Sequence, residues 1–441
     1  MAKKILDNLV EYMLASKEAK IPEEVLQRGK SHILDSLAAV VSGSRLKAGR
    51  LGIQYAREQG VKGECGVLGS DMRTTPITAA FANGLSAHAD ETDDSNSQLH
   101  PGCAIVPAAW AAGEWQNRNG EALLRAVILG YDVAMGFHKA FEIRSTSFGA
   151  TFGAAAAAGT LAQLDSRQLC YLISYAGQQA SGSRAWVGDD EHVEKAFDFG
   201  GMPARNGVTP ALLVKSGFTG NRDLLEGDRN IVRDYVPCDP QKLLAGLGQQ
   251  YTITRCLIKK YPVGSPMMEA VDAMLRIVTE HKVKPQDVVK VIARIPGSAR
   301  TVNNREMPDV NVQYILSAIL LDGKLTFEAA HDYERFQDKK LREMKEKVQL
   351  IVDEELQQRT GKRYQALLEV TLKDGRTVQE HVIDCRGRPD NPMNPEEVGK
   401  KAAWLMEPVI GVKHTQKIME SIGKLESVSS IRNLTDLLML A

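Results

Sequence analysis

This 441-residue chain has no charge of one sign to spare: lysine plus arginine and aspartate plus glutamate number 55 each. No global field favours nucleic acid or an anionic membrane, so charge-driven recognition is expected only at a local site. Cysteine is scarce, and its six copies (Cys65, Cys103, Cys170, Cys238, Cys256, Cys385) stand far apart, without a CxxC pair or zinc-type spacing. That argues against a disulfide framework or a zinc knuckle, and fits reduced thiols in the cytoplasm. No apolar run approaches the roughly 18 residues needed to cross a bilayer. The first segment, "MAKKILDNLVEYMLASKEAK", is interrupted by Asp7 and Glu11 and reads as an amphipathic helix, not a secretory signal. There is no P-loop, no strand-coupled GxGxxG and no GxSxG, so neither a nucleotide site nor a serine nucleophile elbow is expected, and no cofactor.

The length calls for two domains or more. Apolar content of 43% and charged content of 25% are those of a soluble globular protein. "IPEEVLQRGKSHILDSLAAVVSGS" opens on Pro22, keeps helical spacing and stops near Gly43. "GEALLRAVILGYDVAMGFHKAF" and "SRQLCYLISYAGQQASGS" are apolar nearly all round, so central helices are expected. "FGATFGAAAAAGTLAQL" is almost all small residues, which lets helix axes approach closely or a backbone approach a ligand. Near residue 265 the texture changes. "DVVKVIARIP" alternates Val289, Val291, Ala293 and Ile295 as a half-buried strand, and "RYQALLEVTLKDGRTVQEHVID" reads as a hairpin turning at Asp374-Gly375. "NVQYILSAILLDG" and "FEAAHDYERFQDKKLREMKEKV" read as helices between them. The expected fold class is α+β: a helical domain over 1–265, joined again by 401–441, and a smaller α/β domain over 266–400.

One stretch stands apart. "HADETDDSNSQLHPG" places six ionisable side chains (His88, Asp90, Glu91, Asp93, Asp94, His100) in thirteen residues, between the apolar flanks "TAAFANGLSA" and "CAIVPAAWAAG". It matches neither HExxH nor an EF-hand loop, which leaves a metal site as an alternative and a solvated acidic loop as another. The preferred reading is a catalytic loop with His100, rigidly placed before Pro101-Gly102, as acid or base. Cations sit beside glycine-rich turns elsewhere: Lys195 and Arg205 around Gly200-Gly201, with Asn206-Gly207 expected to open a helix, Lys259 and Lys260 at the change of texture, and Arg144 before the small-residue helix. Arginine forks and helix starts suit carboxylates. The residues thus point to acid/base chemistry on a small anionic molecule.

The motifs then resemble the MmgE/PrpD family over nearly the full length. "AHADETDDSNSQLHPG" is similar to the family's "HALDFDDT…HPG" loop, "GMPARNG" to its "G-x-A-A-K/Q-x-G" turn, "IKKYPVGSP" to "KPYP", and "NVQYILSAILLDG" to its "QY…LLDG" helix. The resemblance implies His100 as the proton-transfer residue, Glu91 and Lys259 as further catalytic groups, and Tyr314 facing the cleft. It places Ser95, Asp94 and Arg205 among the substrate-binding groups; Arg144, at a position that is histidine in many members, adds a cation to that set, and no metal is expected. Arg144, Gly264 and Met268 stand where lyase members often carry other residues, two of them histidines. The resemblance also implies a large all-helical domain with a smaller α/β lid, the site between them, and a homodimer.

The expected activity is a cofactor-independent lyase of the dehydratase type, abstracting a proton next to a carboxylate on a small di- or tricarboxylate. An epimerase or isomerase at such a carbon is the alternative, followed by a non-catalytic carboxylate binder and a metallohydrolase. No nucleic-acid or membrane partner is expected.

Overall fold

In the computed structural model of the chain, residues 4–96, 99–141, 143, 145–226, 230–231 and 238–440 are described. They divide into two compact units. The first comprises Met1–Ala89, Asp93–Ile258 and Asn394–Ala441; the second comprises Asp90–Thr92 and Lys259–Met393. The architecture is α+β and mostly helical. Among the described residues no helix is long and apolar enough to cross a membrane.

The first unit is built from α1 (Ile5–Ala15), α2 (Glu23–Gly43), α3 (Lys47–Glu58), a ribbon of β1 (Cys65–Gly66) with β2 (Arg73–Thr74), α4 (Pro76–Ala87), α5 (Gly102–Trp115), α6 (Gly120–Ala140), α7 (Thr146–Leu161), α8 (Ser166–Gln179) and α9 (Met202–Lys215). Every residue of α7 is buried, and the helix packs between α6 and α9. Small residues make that possible. A Cβ on Gly153 would lie 2.4 Å from the Gly130 carbonyl oxygen, and one on Gly207 would lie 2.4 Å from the Ala154 Cβ. The long helix Pro395–Gly423 returns to α2, where Lys401 meets Asp35 at 2.5 Å in the core. Burial pushes the Asp35 carboxyl up to about 7 although Lys401 opposes it.

The expected Gly-Gly turn is not a turn. Phe197–Gly201 form a π-helical segment that runs straight into α9, so Asn206 and Gly207 lie inside a helix and open none. The cause is close approach: a Cβ on Gly200 would stand 2.0 Å from the Gly84 carbonyl oxygen of α4. Widening the helix by one residue lets the two backbones touch.

The second unit carries a four-stranded sheet in the order β4-β3-β5-β6, with β3 Val288–Ile295, β4 Val348–Val352, β5 Gln365–Leu372 and β6 Thr377–Ile383. β4 runs parallel to β3 (Ala293 beside Leu350), and the other pairs are antiparallel. The hairpin turns at Asp374-Gly375, where Gly375 takes φ 85° and the Asp374 carboxylate accepts the Arg376 N–H at 3.0 Å. A register shift between Val288 and Lys290 buries Val288 and leaves Val289 half exposed, off the face assigned to it by strict alternation. Helices α10 (Met268–Thr279) and α11 (Val312–Asp322) pack on this sheet, α11 ending at Gly323 in the left-handed region. The segment expected as one helix from Phe327 is broken into Phe327–Ala330 and Lys339–Lys345, followed by β4. Asp332 and Asp338 accept the backbone N–H groups of Arg335 (2.8 Å) and Leu341 (3.0 Å), and each restarts the chain as a local cap.

Candidate active site

The acidic loop joins two buried helices. The Thr75 hydroxyl caps α4 at Thr78 N–H, α4 ends at His88, and α5 begins directly behind Pro101. Both helices are small and apolar, and the residues between them are drawn inward: Asp93 and Asp94 are fully buried. Buried carboxylates require donors, and these two neighbours find theirs in different places.

Asp94 is saturated by the core. Its Oδ2 accepts His32 Nδ1–H at 2.6 Å and the Tyr131 hydroxyl at 2.6 Å, while Oδ1 accepts the Gly102 N–H at 2.8 Å. The last bond uses a free amide at the start of α5, where the helix favours negative charge. Asp94 is therefore a brace between α2, α5 and α6.

Asp93 serves imidazoles instead. Its Oδ2 lies 2.9 Å from His88 Nδ1 and 2.9 Å from His100 Nδ1. One carboxylate oxygen accepting from both rings keeps each proton on Nδ1 and leaves each Nε2 with its lone pair. Burial holds the His88 pKa well below the usual histidine range, with Asp93 pulling the other way, so this ring stays neutral. His100 keeps 11% of its side chain accessible. Its Nε2 meets no hydrogen-bond partner among the described residues.

A wall of rings closes around the pair. Phe199, on the π segment, stacks on His88 at 4.3 Å between centroids and meets His100 edge-on at 4.9 Å. Trp186 stands edge-on to Phe199, and His192 lies 5.4 Å from His88. The buried Lys195 ammonium sits 5.4 Å from the Phe199 ring and 5.9 Å from Trp186. Next to Phe199, Asp198 accepts the Ser147 hydroxyl at 3.0 Å, and burial pushes its carboxyl up to about 6.

In the second unit, Glu91 holds φ 53°, a left-handed conformation that costs a β-carbon residue about 1–2 kcal/mol. Its carboxylate accepts Lys259 Nζ at 2.5 Å, with both side chains buried. Also in this unit, His331 sets Nε2 at 3.0 Å from the Asp90 carbonyl oxygen and Nδ1 at 2.7 Å from that of Phe327, with Asp309 at 3.8 Å. His331 therefore holds the backbone next to Glu91.

The remaining expected residues separate clearly. The Ser95 backbone pairs with Leu257, and its buried hydroxyl has no partner among the described residues. The Arg205 Nε donates to Asn206 Oδ1 at 3.1 Å while the guanidinium lies 5.5 Å from the Phe81 ring centroid; no hydrogen bond or ring contact ties it to the imidazoles. Tyr314 is fully buried in the second unit, and its hydroxyl donates to the Ala329 carbonyl at 2.7 Å. Arg144 lies outside the described residues. Among metal-ligating groups, His88, Asp93 and Cys103 bring ligand atoms within 4.8 Å of one another. Their bonds describe other work: His88 Nδ1 is on Asp93, and the Cys103 thiol donates to the carbonyls of His100 (3.2 Å) and Phe199 (3.4 Å).

Sequence reasoning singled out His100 and missed the cluster around it. His88 was in view as one of six ionisable groups, but only the fold shows that it shares Asp93. His192 and Trp186 carry no motif; the one available signal was the density of polar residues around Lys195 in "WVGDDEHVEKAFDF". His331, in a stretch read as an ordinary helix, gave none.

Two comparisons bear on this constellation. The family model of the MmgE/PrpD N-terminal domain matches residues 7–242, and that of the MmgE/PrpD C-terminal domain matches residues 261–426. The chain is 25% identical to the cis-aconitate decarboxylase of Homo sapiens, over 99% of this chain and 95% of that protein. It is 24% identical to the decarboxylase of the same name from Mus musculus (99% and 94%) and to one from Aspergillus terreus (95% and 92%). With both domains matched in order along a single chain, this protein belongs to the MmgE/PrpD family.

Proposed function

We propose that the protein is a cofactor-independent lyase of the dehydratase type, acting on a small di- or tricarboxylate. The observation that carries the proposal is His100: its Nδ1 is fixed on Asp93, and its Nε2 is the open end of a buried carboxylate–imidazole pair. Such a pair accepts a proton and stabilises the resulting imidazolium, the requirement for abstraction next to a carboxylate. In the proposed step the C–H bond breaks toward His100 Nε2. Its electron pair becomes the new carbon–carbon double bond, and the C–O bond to the hydroxyl breaks. His100 returns the proton to that hydroxyl, which leaves as water. Ser95, whose buried hydroxyl has no partner among the described residues, is assigned to a substrate oxygen. Arg205, with one nitrogen engaged, and Arg144 are proposed carboxylate ligands.

The full-length relatives named for decarboxylating cis-aconitate support a lyase on a small tricarboxylate. Gly264 and Met268 offer no side-chain proton donor, which weakens a direct carry-over of decarboxylation, and dehydration is preferred by analogy with the hydro-lyase chemistry broadly assigned to the family. A second reading, epimerisation, is favoured by one observation: besides Asp93–His100, the acidic loop supplies the carboxylate of a further buried pair, Glu91–Lys259. Both readings assign proton transfer to side chains alone, so exhaustive chelation is expected to leave turnover unchanged.

The test is the product formed from citrate, succinate and amino-dicarboxylate derivatives in deuterated water. A new double bond with loss of water supports the dehydratase. Deuterium at a retained, inverted carbon without unsaturation assigns the epimerase, and release of carbon dioxide overturns the preference against decarboxylation.

A further inference from the structure

A polar cavity lies in the helical unit, lined by none of the residues above. It has about 430 Å³ of empty volume, part of it open to solvent, and its polar lining is Ser16, Lys17, Arg118, Arg125, Thr160 and Gln163. Three helix ends meet there: the end of α1, the start of α6 and the end of α7. Ala122, Arg125 and Ala126 line it from the first turns of α6, and Arg118 lines it from the connection just before that helix.

The ordinary explanation for cations at helix ends is that they cap free carbonyls. That holds for Arg125, whose Nη1 donates to the carbonyls of Ser16 (3.4 Å) and Ala19 (2.8 Å) and whose Nε meets Glu121 at 3.0 Å. It holds also for Lys215, which caps α7 at the Ala162 carbonyl (2.9 Å). It does not hold for Arg118 or Lys17. Neither side chain has a hydrogen bond or ion pair among the described residues, and the Arg118 Nε is buried with no acceptor. Burial and the nearby Arg118 lower the Lys17 pKa, with Glu18 opposing, so the two cations repel across the cavity. Thr160 points its hydroxyl back to the carbonyls of Ala156 and Ala157, and no carboxylate lines the cavity. Two crowded cations and a stranded buried N–H donor together call for an anion.

We propose that this cavity is a binding site for a small oxyanion, a phosphate or a carboxylate, held between Lys17 and Arg118. The site is separate from the proposed catalytic residues and does not depend on the reaction assigned to them.

The test is titration of the full-length protein with inorganic phosphate at low ionic strength, followed by calorimetry. The expected result is saturable single-site binding that survives His100→Gln and weakens by about tenfold or more in Lys17→Ala/Arg118→Ala, the loss anticipated for two charge-assisted contacts. The melting temperature of the double variant in phosphate-free buffer checks its fold. If that variant melts early, Lys17→Gln/Arg118→Gln keeps the bulk while removing the charge, and the same loss is expected. Equal affinity in the charge-removed protein, or no saturable binding to the unaltered one, overturns the proposal. A competition arm identifies the source of the oxyanion. Succinate displacing phosphate in the His100→Gln protein assigns the cavity to carboxylates, and phosphate held against succinate assigns it to phosphorylated ligands.

Discussion

Asp93 and Asp94 are adjacent in sequence, equally buried, and opposite in effect. Around Asp94 every donor comes from the core: His32, Tyr131 and the amide of Gly102 fill both oxygens. Around Asp93 one oxygen is divided between two imidazoles, one sealed under Phe199 and one reaching solvent. The same functional group, in the same loop, is a structural pin on one side and an orienting group on the other. What separates them is the accessibility of the donor, not the burial of the carboxylate. A buried acid whose partners are all buried contributes to stability; one whose partner has an open nitrogen is able to move a proton.

Substitutions that exchange the two roles break or sharpen this contrast. The largest effect is expected from Asp93→Asn. An uncharged amide cannot stabilise the imidazolium that forms when His100 takes a proton, and its NH2 group donates where the carboxylate only accepts, so turnover should fall by about 10²–10⁴-fold with the fold intact. Steady-state kinetics beside circular dichroism decide this, and near-normal turnover would mean that the His100 tautomer does not matter. Asp94→Ala should show the reverse pattern. It strands three buried donors, each costing about 1–3 kcal/mol, so the urea midpoint should fall while the activity of the folded fraction persists. Loss of turnover at unchanged stability would return Asp94 to the substrate.

The smallest effect belongs to Asp198, which borders the ring wall without joining either group. Its carboxyl is raised to about 6 in the folded protein by burial, against an unfolded value near 3.9. The folded state binds this proton more tightly, so the favourable contribution is complete below about pH 4 and is lost as pH rises through about 6. Asp198→Asn should therefore gain on the order of 1–3 kcal/mol at pH 8 relative to the unaltered protein and nothing at pH 4. Melting curves at the two pH values check the sign.

Much of the fold was legible because local rules and tertiary packing agree. Pro22 and Gly43 bracket α2, the hairpin turns at Asp374-Gly375, and the small-residue helix is an interior one. The failures lie where a distant contact overrides local pattern. The π segment exists because Gly84 presses on Gly200, and Val289 turns outward because of a bulge against β5. β4 was hidden behind a helix-like charge pattern that Asp332 and Asp338 break from within. At the site, the motif around His100 marked one residue. Its environment was illegible because Asp93 is equidistant from two histidines only once α4 and α5 are packed, and His192, Lys195 and Phe199 arrive from another segment. The partner of the Tyr314 hydroxyl, the Ala329 carbonyl, was equally illegible, because it lies on the next helix segment.

The central claim is that His100 moves the proton. The direct measurement is exchange of a substrate carbon-bound hydrogen with deuterated water, followed by mass spectrometry, for the unaltered protein and for His100→Gln. The account predicts exchange or turnover with the first protein and a loss of about two to four orders of magnitude with the second, which should remain folded. A folded His100→Gln protein that exchanges hydrogen at the original rate would contradict it, and would move the proton-transfer role to the Glu91–Lys259 pair.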